Sequence, residues 1–227
     1  ALGLTVFPTL SERANAGDDE GLRSTAAWAL RLVLALAVPS AVGLIVLGRP
    51  LTALFLQRGA FDAEDTARVY ATLQFFAVGL MTHSALEVVG RLFYAQRDMW
   101  TPFLAAAAGL ITNGVVGWLL LRPLATGGLA LANSLGAGLQ VVILLVVARR
   151  RLGGVVDAAF GAALARTAVA SAAMGFAVMG FRLALPDLAL PVTAGGGLAV
   201  GGLSFLGATL LLGNEELRDL PGLLLDR

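Results

Sequence analysis

The sequence contains no cysteine and no lysine, and its only histidine is His83. Without cysteine there is no disulfide, no thiolate nucleophile and no cysteine-based metal site, and a single histidine excludes a multi-histidine metal site. We therefore expect no metal and no cofactor. All basic residues are arginine, and the formal net charge of +1 provides no basic field for a nucleic-acid partner.

Charge of either sign is also scarce. Only 14% of the residues are charged, 58% are hydrophobic, and the mean hydropathy is +0.83. Soluble domains carry about 25% charged residues. This composition is therefore typical of a membrane protein.

Six stretches are long enough and apolar enough to cross a bilayer core of about 30 Å at 1.5 Å per residue. We expect them at residues 32–47 (continuing to about 55), within 69–102, and at 103–121, 128–148, 163–185 and 190–212. Pro39 is expected to kink the first span, and residues 122–128 to form a tight turn. The predicted fold class is an all-α polytopic membrane protein, a bundle of six full spans.

The spans divide the chain into four parts. Residues 1–10 look like the end of a truncated helix that Pro8 terminates, and residues 11–31 like a cytoplasmic connector with an interfacial helix. Residues 32–151 hold four spans, and residues 152–227 hold two more and a cytoplasmic tail. We expect the chain to be a C-terminal part of a longer protein.

The arginines predict the orientation. If the connector, the turn at residues 95–100, the triple-arginine turn at residues 149–151 and the C-terminus share one side, that side carries 11 of the 16 arginines. These are Arg13, Arg23, Arg31, Arg91, Arg97, Arg149, Arg150, Arg151, Arg166, Arg218 and Arg227. The positive-inside rule places that side in the cytoplasm, with Arg149, Arg150 and Arg151 as a topology anchor and a secondary contact for anionic lipid.

One span carries a polar stripe. His83, Glu87 and Arg91 fall at about 0°, 40° and 80° around a helix, with Tyr94 near 20°. Charge inside a membrane normally faces a cavity or a partner. The stripe therefore either lines a cavity for an anionic or sugar-bearing substrate, or for protons through His83, or it is a packing face.

In the packing interpretation, Arg91 reaches the cytoplasmic surface while it neutralises Glu87, and Gly79 and Gly90 allow close helix contact. The residues alone favour this interpretation, and they favour an interior hydrogen-bonded role for His83. For Asn113, Asn133 and Gln140 they favour hydrogen bonds between helices.

Enzyme signatures are missing from the sequence. No nucleophile elbow, zinc-protease, Walker or dinucleotide-binding pattern occurs in a suitable context, and no span holds a paired carboxylate arrangement. The residues predict a transporter-like membrane protein that is not an enzyme.

Five short motifs resemble one family. They are FPTLS (residues 7–11), LAVPSA (36–41), FLQRGAFDAEDT (55–66), FYA followed by Asp98 and Thr101-Pro102 (93–102), and GLALA (128–132). In this order and spacing, over residues 1–151, they resemble the MurJ/MviN family of lipid II flippases within the multidrug/oligosaccharidyl-lipid/polysaccharide exporter superfamily.

The resemblance implies a fourteen-helix transporter in two lobes. This chain would supply the end of helix eight, helices nine to twelve and two additional C-terminal helices, and residues 163–212 would help to form a groove for a lipid tail. Tyr94, Asp98, Thr101 and Pro102 would be structural turn and cap residues. Thr101 would be the N-cap of the next helix and Pro102 its first residue. The main cationic substrate contacts of the family would lie upstream of Ala1.

The function that the resemblance implies is flipping of the undecaprenyl-linked peptidoglycan precursor to the periplasmic leaflet by alternating access. The protein would lie in the bacterial inner membrane with a cytoplasmic C-terminus. Its partners would be the precursor, membrane lipids and cell-wall synthesis proteins. Two alternatives stay open: an exporter of another polyprenyl-linked oligosaccharide or of drugs, and a non-transporting scaffold of cell-wall assembly.

Overall fold

The computed structural model describes residues 2–213, with side chains from Phe7 onward, and all its regular elements in that range are α-helices. They are α1 (Leu2–Asn15), α2 (Asp19–Leu56), α3 (Ala63–Ala95), α4 (Trp100–Leu152), α5 (Ala158–Ala184) and α6 (Leu190–Leu211). The helices α2 to α6 are long and apolar enough to cross a membrane. The expected all-helical fold class is confirmed.

Helix α4 contains two spans, because the chain folds back on itself at Ala125. That residue has φ 46° and ψ −128°, which no helix accommodates, and it follows Pro123. The two halves, residues 100–124 and 126–152, lie antiparallel: a Cβ added to Gly109 would come within 2.8 Å of the Gly136 carbonyl oxygen. Near the turn, Gly117 lies beside Leu129. The predicted turn at residues 122–128 and the six expected spans are therefore confirmed.

Helix α1 corrects one expectation. Pro8 does not end this helix, which continues to Asn15. A proline inside a helix removes one backbone hydrogen bond, and membrane helices tolerate that loss. The break comes at Gly17, whose φ of 67° requires the left-handed conformation that glycine adopts without strain. Asp18 then accepts the Gly21 N–H at 2.8 Å and begins α2.

Helix α2 is therefore longer than the predicted first span. Its 38 residues include most of the expected connector and contain both Pro39 and Pro50. After its far end the chain turns at Gly59, which has φ 62°, and Asp62 caps α3 through the N–H groups of Glu64 and Asp65. These N–H bonds lower the pKa of Asp62, because they favour the charged carboxylate.

The helices α5 and α6 pack on α2. A Cβ on Gly175 would lie 3.0 Å from Val42, and one on Gly197 would lie 2.5 Å from Leu47. Met174 and Phe205 form a small buried cluster between α5 and α6. Small residues thus allow the C-terminal pair of helices to approach α2 closely.

The turns at one end of the bundle gather the arginines, and we call this the arginine-rich end. Arg23, near the start of α2, lies beside Gly153 at the end of α4, and Arg151 contacts Asp98 in the turn between α3 and α4. Arg166 of α5 donates to the Gly213 carbonyl after α6 at 3.4 Å. The start of α2, the turn between α3 and α4 and the end of α4 therefore lie together, as expected, while residues 214–227, with Arg218 and Arg227, lie outside the described residues.

Candidate functional site: a polar cavity beside α3

Helix α3 carries its charged pair one turn from the arginine-rich end. Arg91 Nη2 lies 3.1 Å from Glu87 Oε2 at the i, i+4 spacing that the sequence predicted. The two side chains are unequal: Glu87 is 72% exposed, whereas Arg91 is 26% exposed. Glu87 therefore points outward, and Arg91 lies closer to the protein body.

Both residues line a cavity of about 430 Å³ between α1, α3 and α4. Its other walls bring together residues far apart in sequence: Phe7, Leu86, Gly90, Tyr94, Pro102, Gln140 and Leu144. Gly90 adds no side chain to this wall, and an added Cβ would lie in ordinary contact with the Tyr94 ring at 3.9 Å. The result is an apolar pocket with one cation, one carboxylate and one amide, an arrangement typical of ligand sites.

His83 does not line this cavity. Its Nε2 lies 2.7 Å from Asn133 Oδ1 on α4, and because an amide oxygen accepts, the histidine donates from Nε2. This bond belongs to a polar seam between α3 and α4, in which Ser134 donates to the Phe75 carbonyl at 3.0 Å. The expected interhelical bond of Asn133 is confirmed.

The side-chain amides of Gln140 and Asn113 lie in other places. Gln140 lines the cavity rather than the seam. Asn113 packs between the halves of α4, where a Cβ on Gly136 would come within 3.2 Å of it. The sequence had favoured interhelical hydrogen bonds for both.

Asp98 organises the turn between α3 and α4. Its carboxylate accepts the Thr101 N–H at 3.0 Å, the Thr101 hydroxyl at 2.6 Å and Arg151 Nη1 at 2.6 Å. The two Thr101 bonds and, to a smaller extent, Arg151 lower the pKa of Asp98 to about 2. The guanidinium of Arg151 also lies 6.0 Å from the centre of the Phe93 ring.

The start of α4 differs slightly from the expectation. The helix begins at Trp100, so Thr101 is its second residue and Pro102 its third, and the capping carboxylate is that of Asp98. Proline at this position still costs no intrahelical bond, because the first turn has no acceptor for its missing N–H. Tyr94 is both a turn residue and part of the cavity wall.

The side chains of the three consecutive arginines, which the sequence predicted as a topology anchor, have different surroundings. Arg151 is held by Asp98 and by the Thr101 hydroxyl. Arg149 lines a second, smaller groove, and Arg150 is exposed. Sequence reasoning missed the contact between Asp98 and Arg151, because nothing local links residues 53 positions apart.

Metal binding has no support in residues 2–213. No group of three or more histidine, cysteine, aspartate or glutamate side chains among them could hold a metal ion.

Comparison with known proteins points to one family. The sequence model described as "Lipid II flippase MurJ" matches residues 1–189. The lipid II flippase MurJ of Burkholderia cenocepacia is 30% identical over 151 residues, which are 66% of this chain and 29% of that protein. The flippase of Thermosipho africanus is 31% identical over 117 residues, 52% of this chain and 25% of that protein. The chain thus spans less than a third of the length of these relatives.

A solved structure shares the fold. Lipid II flippase MurJ in an inward closed conformation superposes with a TM-score of 0.77 at 23% sequence identity. The superposition covers 97% of this chain and 43% of the solved chain. That share is consistent with one part of a larger, fourteen-helix transporter.

Proposed function

This chain belongs to the family of the lipid II flippase MurJ, and we propose that it forms one wall of a transporter for lipid-linked peptidoglycan precursor. The complete protein would flip lipid II from the cytoplasmic to the periplasmic leaflet of the bacterial inner membrane by alternating access. The observation that carries this proposal is the charged cavity beside α3 in a chain of this family.

The position of the cavity suits entry from the cytoplasm. It lies next to the turn between α3 and α4, at the arginine-rich end, because Tyr94 and Pro102 contribute to its wall. The positive-inside rule assigns this end, and with it the C-terminus, to the cytoplasmic side. A substrate made on that side would meet the cavity first.

The chemistry of the cavity suits an anionic, sugar-bearing head. Arg91 provides a fixed positive charge, and Glu87 Oε2 orients the guanidinium at 3.1 Å. Glu87 is 72% exposed, so it can accept hydrogen bonds from hydroxyl or amide donors of a ligand. Gln140 adds an amide that can donate and accept. We assign Arg91 the anionic part of the head and Glu87 and Gln140 its neutral polar groups.

The lipid tail would run along α5 and α6. Leu198, Leu203 and Leu210 on α6 are each more than half exposed, and the pair of helices is fixed to α2 rather than to α4. The exposed leucines make α6 an apolar surface on the α2 side of the bundle, while the cavity lies between α1, α3 and α4. In the bilayer such a surface can guide a polyprenyl chain while the head crosses.

The test is complementation in a bacterium depleted of its own lipid II flippase, with the complete protein that carries this chain. We expect rescue by the unchanged protein, and impaired rescue by Glu87→Gln and by Arg91→Ala at normal membrane levels. The chain offers a matched control, because Glu64 and Arg68 form an ion pair with the same i, i+4 spacing on the same helix. Glu64→Gln and Arg68→Ala should leave rescue intact.

Each outcome decides one point. Failure of the unchanged protein despite good membrane expression would overturn the assigned substrate and favour another polyprenyl-linked oligosaccharide. Normal rescue by both cavity variants would remove Glu87 and Arg91 from substrate handling and favour a scaffold role for this wall.

A further inference from the structure

The second groove lies at the end of α4, on the side of the helix away from the charged cavity. Val142, Leu145, Val146 and Arg149 line it at the spacings i, i+3, i+4 and i+7, so they form one face of the helix. The opposite wall is the loop at residues 154–156. The groove encloses about 240 Å³.

The loop that forms this wall is shaped by two glycines. Gly153 and Gly154 have φ values of 81° and 105°, which side-chain-bearing residues rarely adopt. They end α4 and turn the chain so that Val155 is buried while Val156 remains half exposed beside Val142 and Val146. The two glycines thus turn the loop locally, and the burial of Val155 in the main core anchors it.

The charges around the groove favour an anion. In the part of the chain that the structure describes, ion pairs are formed by Arg13, Arg68, Arg91 and Arg151, and Arg149 takes part in none of them. The nearest carboxylate in sequence, Asp157, is turned to the start of α5, where it accepts the Phe160 N–H at 2.7 Å. Arg149 is thus a cation at the mouth of an otherwise apolar groove.

We propose that this groove binds an anionic glycerophospholipid, with the phosphate on Arg149 and the first part of one acyl chain against Val142 and Val146. The site lies at the arginine-rich end of a span, where the apolar core of a bilayer meets its headgroups. An open groove of about 240 Å³ suits the start of one acyl chain rather than a whole lipid. This site is separate from the charged cavity, so it does not depend on the proposed transport function.

The neighbouring Arg150 makes the proposal testable. It carries the same charge in the same last turn of α4 but does not line the groove. If the arginines only attract anionic lipid through the surface potential, Arg149→Ala and Arg150→Ala should have equal effects. If the groove is a site, Arg149→Ala should be the stronger change.

The experiment is a titration of the purified full-length protein with phosphatidylglycerol and, separately, with phosphatidylcholine, with bound lipid counted by native mass spectrometry. We expect Arg149→Ala to weaken phosphatidylglycerol binding about fivefold or more, as expected for one lost cation near a membrane surface, with phosphatidylcholine binding unchanged. Arg150→Ala should have a clearly smaller effect, because Arg150 does not line the groove. Val146→Trp, which fills the groove without changing charge, should also reduce phosphatidylglycerol binding.

Three results would overturn the site: equal effects of the two arginine changes, no effect of Val146→Trp, or equal loss of both lipids. Arg149→Lys keeps the charge and should retain most of the binding, which separates loss of the cation from loss of fold. The lipid titration does not depend on the complementation test. If complementation fails, the proposed lipid site is therefore not affected.

Discussion

The guanidinium of Arg182, in the last turn of α5, donates a hydrogen bond of 2.7 Å to the backbone carbonyl oxygen of Val46 on α2. Pro50 lies four residues after Val46 and has no N–H, so it leaves this carbonyl without its helical donor. A free carbonyl is costly within a bilayer, where no water replaces the missing partner. The arginine therefore satisfies a group that the proline frees, and it fastens the C-terminal helices to α2.

Replacing Arg182 with methionine, which keeps an unbranched apolar side chain but removes the hydrogen-bond donor, should destabilise the protein. We expect a loss of about 1.5–3 kcal/mol, the usual contribution of a hydrogen bond to a charged group. Thermal unfolding of the purified protein in detergent measures it. We expect the variant to unfold at a lower midpoint temperature and to insert into the membrane as the unchanged protein does.

The control for this change is Pro50→Ala, which restores an N–H for the Val46 carbonyl. In that background Arg182→Met should cost clearly less than in the unchanged protein, because the carbonyl already has a donor. Equal costs in both backgrounds would show that the arginine stabilises the protein in some other way.

The sequence predicted local relationships well and distant ones poorly. A charged pair at positions 87 and 91 follows from helical periodicity, and the turn at Ala125 follows from the Pro-Leu-Ala-Thr-Gly-Gly pattern. The sequence predicted a kink at Pro39, whereas the structure shows that the carbonyl freed by Pro50 has a partner in Arg182. That partner is 136 residues away, and no spacing rule connects them.

The cavity shows the same limit. Periodicity identified Glu87 and Arg91, but Phe7 and Gln140 reach the same pocket only through the packing of α1 and α4 on α3. His83 shares the stripe on a helical projection, yet it contacts Asn133 instead. A helical projection gives the direction in which a side chain points, but the packing of the neighbouring helices determines which residues it contacts.

Close packing of the two halves of α4 gives a second prediction. A Cβ on Gly136 would come 2.6 Å from the Gly109 carbonyl oxygen, so Gly136→Ala requires the backbones to separate. We expect a loss of about 1–3 kcal/mol in stability. Thermal unfolding in detergent is again the measurement.

Gly114→Ala is the matched control, because no atom lies within 4 Å of an added Cβ there. It should be neutral or stabilising by up to about 1 kcal/mol, since alanine favours a helix over glycine. If both alanines behave alike, the close approach at Gly136 does not hold the hairpin together.

The turn between α3 and α4 gives a prediction on pH. The pKa of Asp98 is lowered from 3.8 to about 2, so the charged form stabilises the folded state. This contribution is complete above about pH 5, and it is lost as the pH falls through 4 toward 2. Asp98→Asn keeps an acceptor but not the charge, and should cost about 1 kcal/mol between pH 5 and 8.

Thermal unfolding of both proteins from pH 3 to 8 measures this difference, which should be constant above about pH 5 and narrow below about pH 4. Arg151→Met should cost less than Asp98→Asn, because the Thr101 bonds rather than Arg151 dominate the lowered pKa. A difference that instead changes between pH 5 and 8 would show that another group titrates with the turn.

The bond between His83 and Asn133 decides whether the histidine carries protons or holds two helices together. The structure favours the second role, because Nε2 already donates to Asn133 Oδ1 at 2.7 Å and the side chain lies outside the charged cavity.

His83→Gln can present an amide donor to the same oxygen but cannot titrate near neutral pH. We therefore expect it to support complementation at pH 6 and pH 8 alike. His83→Ala should lower stability by about 0.6–1.7 kcal/mol, and by clearly less when Asn133→Ala is already present, because the two changes remove one interaction. If His83→Gln reaches the membrane in normal amounts, unfolds at the normal temperature and still fails to complement, the imidazole has a titrating role that the hydrogen bond does not explain.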